Sequence, residues 1–582
     1  MLLQRVGVFV GGFTLDACEG VCSGGVIEKY SVLDLLTSLV DKSLVIYDEG
    51  RYRLLETVRQ YGLEKLTSAG ASTELRGRHR DWYSQLAATA KEKLSGAEMA
   101  TWLDILEVEH GNLRNALEWC TEEAKTGDVQ ALNQGLNMAA NIQTFWDVRC
   151  HWGAAGEILS GLLTLRNGRE ESAAVANALN AQGMMLVNTG DYPSGRECYL
   201  QALAINRQTG NRDSEAGNMA GLGLVAYYTG DYLAAREYYE QALAINRETG
   251  NRNTEAAILC NLGIVAANTG DYAAAREYYE QSLSICRETG NRDREAGILN
   301  NLGIVARNSG DYAAARVYYG EALAINHDTG NRNQEASNLT NIGEVAATTG
   351  DYAAARQYYD QALGICRQTG NVEWESANLA NLGIVAANTG DYPAAREFYE
   401  RSLAINRATG NRDWEATNLS NLGFVAANTG DYTAATEYFG EALGICRETG
   451  NRAWEAENLI GLGLVAVLRR EYPPVLLYLQ QAMEIASALG AMQLNVGALD
   501  VFCIYHSALE EYALAARLFG SADAARASMG APRSPSAIER QRRWRVACEA
   551  ALGHEAYAAC LQEGSALTLD EACALAVDQT SS

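Results

Sequence analysis

The stretch Gly390-Asp391-Tyr392-Pro393-Ala394-Ala395-Arg396-Glu397-Phe398-Tyr399-Glu400 recurs, almost letter for letter, every forty residues. Its first tyrosine reappears as Tyr192, Tyr232, Tyr272, Tyr312, Tyr352, Tyr432, Tyr472 and Tyr512, and Trp152 holds the same register one unit earlier. A fixed period of this size marks a stacked repeat array with no single central core. Function is then to be sought along an extended surface.

Working outward, Glu375 to Asn388 carries apolar or small residues at Leu379, Leu382, Gly383 and Ala386, a helical spacing. Thr389-Gly390 stops that helix, and Asp391 is placed to cap the next one. The second helix shows Tyr392, Ala395, Tyr399, Ser402 and Leu403 on one face, and Thr409-Gly410-Asn411 ends it. Two helices and two glycine stops describe a hairpin that buries its apolar faces only by stacking on copies of itself. Units 174–453, seven of them, are nearly identical, and those around Tyr472 and Tyr512 are worn.

The order Leu382-Gly383, Ala395, Tyr399, Ser402 resembles the tetratricopeptide repeat. The unit exceeds that family's roughly 34-residue form by about six residues, placed around Arg-Glu-Thr-Gly-Asn-Arg between hairpins, and so resembles the longer repeats of kinesin light chains and bacterial signalling proteins. The resemblance implies a right-handed superhelical solenoid in which the first helix of each hairpin lines a concave groove.

The composition narrows the function. A net charge of −25 repels phosphate backbones, so nucleic acid is not an expected partner of the array. No lysine follows Lys125. No apolar run reaches membrane-spanning length, so no membrane partner is expected. Thirteen scattered cysteines read as reduced, and the expected location is cytoplasmic.

The two ends differ in kind. Ser31 to Lys42 reads as a helix, Leu44 to Tyr47 and Arg51 to Leu55 as a hairpin about Asp48-Glu49-Gly50, and Glu56 to Leu66 as a helix. The stretches VFVGGFTLDACEGVC (8–22), LLTSLVDKSLV (35–45) and RYRLLETVRQYGLEKL (51–66) resemble the winged-helix segment of STAND-type signalling ATPases. LEVEHGNLRNALEW (106–119) resembles the helical connector after it, and ARLFGSADAARASMGAP (516–532) and GSALTLDEACALA (564–576) resemble the C-terminal helical cap of such regulators. The expected fold is therefore all-α: a solenoid with a small N-terminal winged-helix-like α+β domain and a helical cap. The expected divisions are 1–70 (a truncated winged helix), 71–150 (connector), 151–490 (repeat array) and 491–582 (a worn repeat and the cap).

These residues contain no Gly-x-x-x-x-Gly-Lys-Ser/Thr phosphate loop. Met1 falls late within the winged-helix pattern, so residues 1–13 are expected to be poorly packed, with a separate nucleotide-binding subunit or an upstream domain as a partner. A DNA reader helix needs basic or amide side chains. Ser31 to Lys42 offers Asp34, Asp41 and Lys42 on a leucine-rich surface, and Arg51, Arg53, Arg76, Arg78 and Arg80 sit among acids. A structural role is favoured, and a DNA-binding regulator working through this segment is the alternative.

At about 100° per residue, the face of the first helix opposite its buried stripe carries Ala380, Asn381, Ile384, Ala387 and Asn388. Across repeats this gives an asparagine ladder, Asn261, Asn301, Asn341, Asn381 and Asn421, beside an apolar one of Leu224, Ile264, Ile304, Ile384, Phe424 and Leu464. Amides can pair with a peptide backbone while apolar neighbours bury its side chains. Glu344 breaks the apolar ladder and Arg307 breaks a small-residue stripe one repeat earlier; the two are expected to meet as a charged notch. The outer asparagines Asn268, Asn308, Asn388 and Asn428 read as helix-end chemistry.

Cys18 and Cys22 share a helix face without a nearby histidine and read as core. The six histidines look dispersed, with His79 among arginines and solvated. Ser534-Pro535 reads as a loop, and Arg540, Arg542, Arg543 and Arg545 as a solvated basic face. Trp374, Trp414 and Trp454 are expected to staple successive hairpins. No nucleophile–base pair, metal motif or cofactor loop is present. The expectation is a non-enzymatic scaffold or sensor that holds a protein or peptide in the groove and needs no cofactor.

Overall fold

A computed structural model describes residues 1–94, 98–166, 172–529, 533 and 535–578. The chain is 84% helical, with paired strands only near the N-terminus. It divides into two units, Met1–Gly290 and Asn291–Ser582.

In the first unit the strands Ile46–Asp48 and Arg51–Arg53 pair antiparallel, Asp48 opposite Arg51, shorter than the sequence suggests. Glu49 and Gly50 turn the chain at φ 45° and 83°, the left-handed backbone that a two-residue hairpin needs. Residues 1–13 are not poorly packed. Leu2–Arg5 is helical, and Val6, Val8, Phe9 and Phe13 are buried. Their backbone is satisfied from a distance: Phe13 exchanges two hydrogen bonds with Tyr52 (2.8 and 2.9 Å). Asn112 accepts from the Val10 amide (2.7 Å) and donates to the Gly12 carbonyl (2.8 Å). Buried polar backbone must find such partners, and the connector-like helix Met99–Lys125 supplies them.

His79 corrects a second expectation. It is 1% exposed, beside Asn112 Oδ1 (3.4 Å) and against Tyr83. Burial pushes its pKa down to about 4, so the fold holds the neutral imidazole. The unfolded chain takes up a proton near pH 6.5, and the stability this neutral histidine contributes is therefore present above pH 6.5 and lost as pH falls toward 4. The loss is roughly 3 kcal/mol. Melting temperature followed from pH 7 to pH 4.5 is expected to fall, and a His79→Leu chain to lose most of that slope. Equal slopes would refute the assignment. Cys18 and Cys22 are buried in the same core, and His110 and His151 come together against the reading of dispersed histidines.

The repeats are built alike in both units, each a helix A followed by a helix B: Arg212–Tyr228 with Tyr232–Thr249 in the first unit, Val372–Asn388 with Tyr392–Thr409 in the second. Asp391 Oδ1 accepts from the Ala394 amide (3.2 Å), and Asn371 caps helix A the same way through the Trp374 amide (3.2 Å). Helix A thus starts earlier than Glu375, and Trp374 lies inside it. There it packs against the cluster that includes the preceding hairpin's Ala362 and Ile365, the expected staple, whereas Trp414 is 42% exposed. Gly410 ends helix B at φ 73°.

The tyrosine that locks a hairpin is Tyr399, not the period-marking Tyr392. Tyr392 is half-exposed at the first position of helix B, while Tyr399 is 2% exposed beneath helix A. A Cβ added at Gly383 would stand 2.6 Å from the Tyr399 ring, so only glycine fits there. The Arg-Glu-Thr-Gly-Asn-Arg linker also has a structural task. Arg407 Nε (2.9 Å) and Arg412 Nη1 (2.6 Å) both bind the buried Glu415 carboxylate, and Arg412 Nη2 reaches Glu448 of the following helix B (3.0 Å). A buried carboxylate needs such double pairing. Where Val372 replaces the second arginine, Glu375 keeps Arg367 alone and is more exposed.

Candidate functional site

The second unit carries most of the ladder residues on helices Arg292–Asn308, Arg332–Thr348, Val372–Asn388 and Arg412–Thr429. Spacings of three and six residues put the three ladder positions of each helix on one side. Asn301, Asn341, Asn381 and Asn421 are all half-buried. Asn341 donates from Nδ2 to Asn300 Oδ1 of the preceding hairpin (2.9 Å), so that amide bridges repeats. Ile304 and Phe424 are half-buried, Phe424 edge-on to Phe439 (4.9 Å between ring centres), and Ile384 is 40% exposed. Arg307 and Glu344 meet in an ion pair, as expected from the two breaks in copying. In the first unit Asn261 and Ile264 take the same register on Arg252–Asn268, half-buried. Ala380 turns inward and leaves this face.

Two of the outer asparagines do close helix ends. Asn268 Nδ2 donates to the Ile264 carbonyl (2.9 Å) and Asn428 Nδ2 to that of Phe424 (2.8 Å). A further, buried asparagine row escaped the sequence reading. Asn326 Nδ2 donates to Asn338 Oδ1 (2.7 Å), and Asn338 Nδ2 to Asn300 Oδ1 (3.1 Å). It repeats one residue from groups that line the apolar core, and only burial distinguishes it.

The largest departure from expectation is Arg540. Pro535–Leu552 is a helix that packs against Val372–Asn388, with Ser534 outside the described residues. Arg540 Nη1 donates to Asn428 Oδ1 (3.3 Å), and its side chain closes a cavity of about 200 Å³ with Ile384, Tyr392, Asn421 and Phe424. Burial pulls the guanidinium's pKa down, a sign that charge is poorly solvated there. Arg545 is not on a solvated face either: it binds Asp523 (2.8 Å) and stacks on Phe519 (4.3 Å). Arg542 is exposed, as expected.

A larger cavity, about 850 Å³, lies between Trp454 and Glu457 on one side and Met492, Leu494 and Met529 on the other. Glu457 stands where Ala377 and Thr417 stand in earlier repeats, and burial raises its carboxyl pKa. Near the N-terminus, Arg51 binds Glu109, Arg76 binds Glu122 (3.4 Å), Arg78 binds Glu74 (2.8 Å) and Arg80 binds Glu123, so four of the five arginines offered for phosphate are held by acids.

Comparison with known proteins agrees with this architecture. The tetratricopeptide-repeat family profile matches residues 174–248, 254–327, 334–408 and 414–488, together just over half of the chain. A Mycobacterium tuberculosis protein provisionally named an HTH-type transcriptional regulator is 34% identical over 222 residues, covering 36% of this chain and 24% of that one. A second, uncharacterized protein of that organism is 40% identical over 89 residues, 14% of this chain and 23% of its own. The chain thus spans about a quarter of the length of the curated relatives it matches. Among solved structures, a signal transduction ATPase with numerous domains (STAND) and a tetratricopeptide-repeat sensor, from Pyrococcus horikoshii, superposes with TM-score 0.55 at 15% identity. The match covers 76% of this chain and 61% of that one, a likeness of fold.

Proposed function

The chain belongs to the tetratricopeptide-repeat family, and on that footing we propose that the helix-A face of its second unit binds a protein or peptide segment without performing chemistry on it. The observation that carries this reading is the seat of Arg540: the chain's own C-terminal helix rests an arginine among Tyr392, Asn421, Phe424 and Asn428. The face therefore has the shape and the hydrogen-bonding groups for a helical, arginine-bearing segment. Asn381 and Asn421 offer amides to such a segment, Ile384 and Phe424 bury its apolar residues, and the Arg307–Glu344 pair sets its register. The net charge of −25 favours a basic partner. Arg540 itself is a weak occupant, because among the described residues its hydrogen-bond acceptor is a single amide oxygen at 3.3 Å.

In this reading the chain is a sensor or scaffold part of a signalling regulator. The exposed apolar side chains Val26, Tyr30, Leu33 and Leu35 are where a nucleotide-binding subunit or further domain would dock. The thirteen cysteines form no disulfide with one another, which suits the reducing cytoplasm. Among the described residues no helix is long and apolar enough to cross a membrane. The acid-bound arginines near the N-terminus argue against a DNA role for that segment.

The test uses a fluorescent peptide of residues 535–552 added to the full chain. An Arg540→Ala chain, its cavity opened by loss of the guanidinium, is expected to bind the peptide more tightly than the unaltered chain does. Adding Asn421→Ala and Phe424→Ala is expected to weaken that binding by about tenfold or more, roughly 1.4 kcal/mol. Binding indifferent to both ladder substitutions would refute the assignment of this face.

A further inference from the structure

Helix Met99–Lys125 presents Glu107 and His110 one turn apart, and the turn after Gln143–Val148 brings His151 against them. One carboxylate oxygen and two imidazole nitrogens, each from a different side chain, lie within 4.8 Å of one another. His151 Nε2 is 3.5 Å from Glu107 Oε2, and the two imidazole rings are 4.6 Å apart, tilted by 31°. Phe145 packs on both rings at 5.5 Å, an apolar wall behind the pair, while Glu107 opens to solvent.

We propose that Glu107, His110 and His151 bind a divalent transition-metal ion of the zinc and cobalt class. Two imidazoles and one carboxylate are the borderline donor set such ions prefer, and three protein ligands leave a coordination position for water. Donors sit about 2.0–2.2 Å from zinc, so in a tetrahedral site two of them stand about 3.4 Å apart. From at most 4.8 Å the widest pair must close by up to about 1.4 Å, a side-chain rotation that an exposed glutamate and a turn histidine can supply. A plain Glu–His ion pair would account for His151 alone. Among the described residues the His110 imidazole has no hydrogen-bond partner, so it is open to a further ligand. A neutral imidazole with a free lone pair is the form that ligates metal.

Arg149 opposes the ion. Its guanidinium binds Asp104 and stands 3.8 Å from Glu107, so it must swing away when a cation enters. Removing it should therefore tighten binding, which an ordinary surface ion-pair cluster gives no reason to expect.

The full chain is titrated with Co²⁺, followed by visible absorption, and with Zn²⁺ by calorimetry. The expected result is one ion per chain and no thiolate charge-transfer band. Glu107→Gln, His110→Ala and His151→Ala should each weaken binding by roughly tenfold or more, and Arg149→Ala should strengthen it. The Glu107→Gln chain, whose side chain is exposed and nearly isosteric, keeps the test open if a histidine variant misfolds. No binding, or binding unmoved by these changes, overturns the proposal. A thiolate band that vanishes in Cys150→Ser also overturns it, because the ion then belongs to that exposed cysteine.

Discussion

Replacing Gly564 by alanine is expected to detach the C-terminal helices from the last repeat. Gly564 lies on helix His554–Ser565 where it crosses Tyr512–Ser528, and a Cβ there would stand 1.8 Å from the Arg517 carbonyl oxygen. The reciprocal contact is as tight, with a Cβ at Gly520 meeting the Leu561 carbonyl oxygen at 2.1 Å. Both obstacles are backbone, so no rotamer change relieves them and the helices must separate. Overpacking costs about 1–3 kcal/mol where side chains yield, and more where they cannot. The effect should be local, because repeats interact chiefly with their neighbours. Limited proteolysis is expected to release fragments from residues beyond 529 while the repeats resist. Gly320→Ala and Gly364→Ala are the controls. Nothing lies within 4 Å of either added Cβ, and both glycines are interior to a helix. Each should stabilise by about 0.5–1 kcal/mol. A Gly564→Ala chain with unchanged proteolysis would show that the crossing is looser than the structure describes.

Deleting Tyr232–Asp271, one complete period in the first unit, is expected to leave a folded chain whose melting temperature moves by only a few degrees. Asp231 would then precede Tyr272, and the following residues still read Tyr-x-Ala-Ala-Arg-Glu-Tyr-Tyr. Gly223, which now seats Tyr239, would seat Tyr279 instead, a ring that Gly263 already accepts in the same geometry. Deleting only Tyr232–Asn251 should be severe. That removes a helix B and joins two helices A, uncovering the surfaces that Tyr239, Leu243 and Ile245 now cover. Each large side chain so lost forfeits about 1.5–3 kcal/mol of burial. Circular dichroism melts of the two deletions should separate clearly; similar losses in both would mean that the copied contacts are not interchangeable.

How far the sequence could be read depended on distance along the chain. The hairpin was legible because its signals are local: Asp391 three residues from the amide it caps, Gly410 at the helix end, and Ala395, Tyr399 and Leu403 at helical spacing. The Arg307–Glu344 pair was legible too, since both break a pattern one repeat apart. Which tyrosine is buried was not. Tyr392 and Tyr399 share a face on paper, but the first sits at the helix start on the open edge, and the second lies two turns in, under Gly383. His79 misled because arginines flank it in sequence, while its burial depends on Phe9 and Asn112. Arg540 was unreadable for the same reason, its acceptor Asn428 lying 112 residues away. Glycines 520 and 564 stand inside stretches whose family resemblance was evident, yet nothing in one sequence marks them as facing each other.

The seat of an aromatic ring on a glycine, a tyrosine in six of the copied units and Phe439 in the last, has a consequence for heredity. DNA encoding near-identical units is prone to unequal crossing-over, which adds or removes whole copies. In most proteins such an event destroys the product. Here each junction it creates meets the contacts it had before, so variants differing in repeat number would reach selection as folded proteins. A lineage could then lengthen or shorten its binding face by counting, and only afterwards individualise single copies, as Arg307, Glu344 and Phe424 have been individualised.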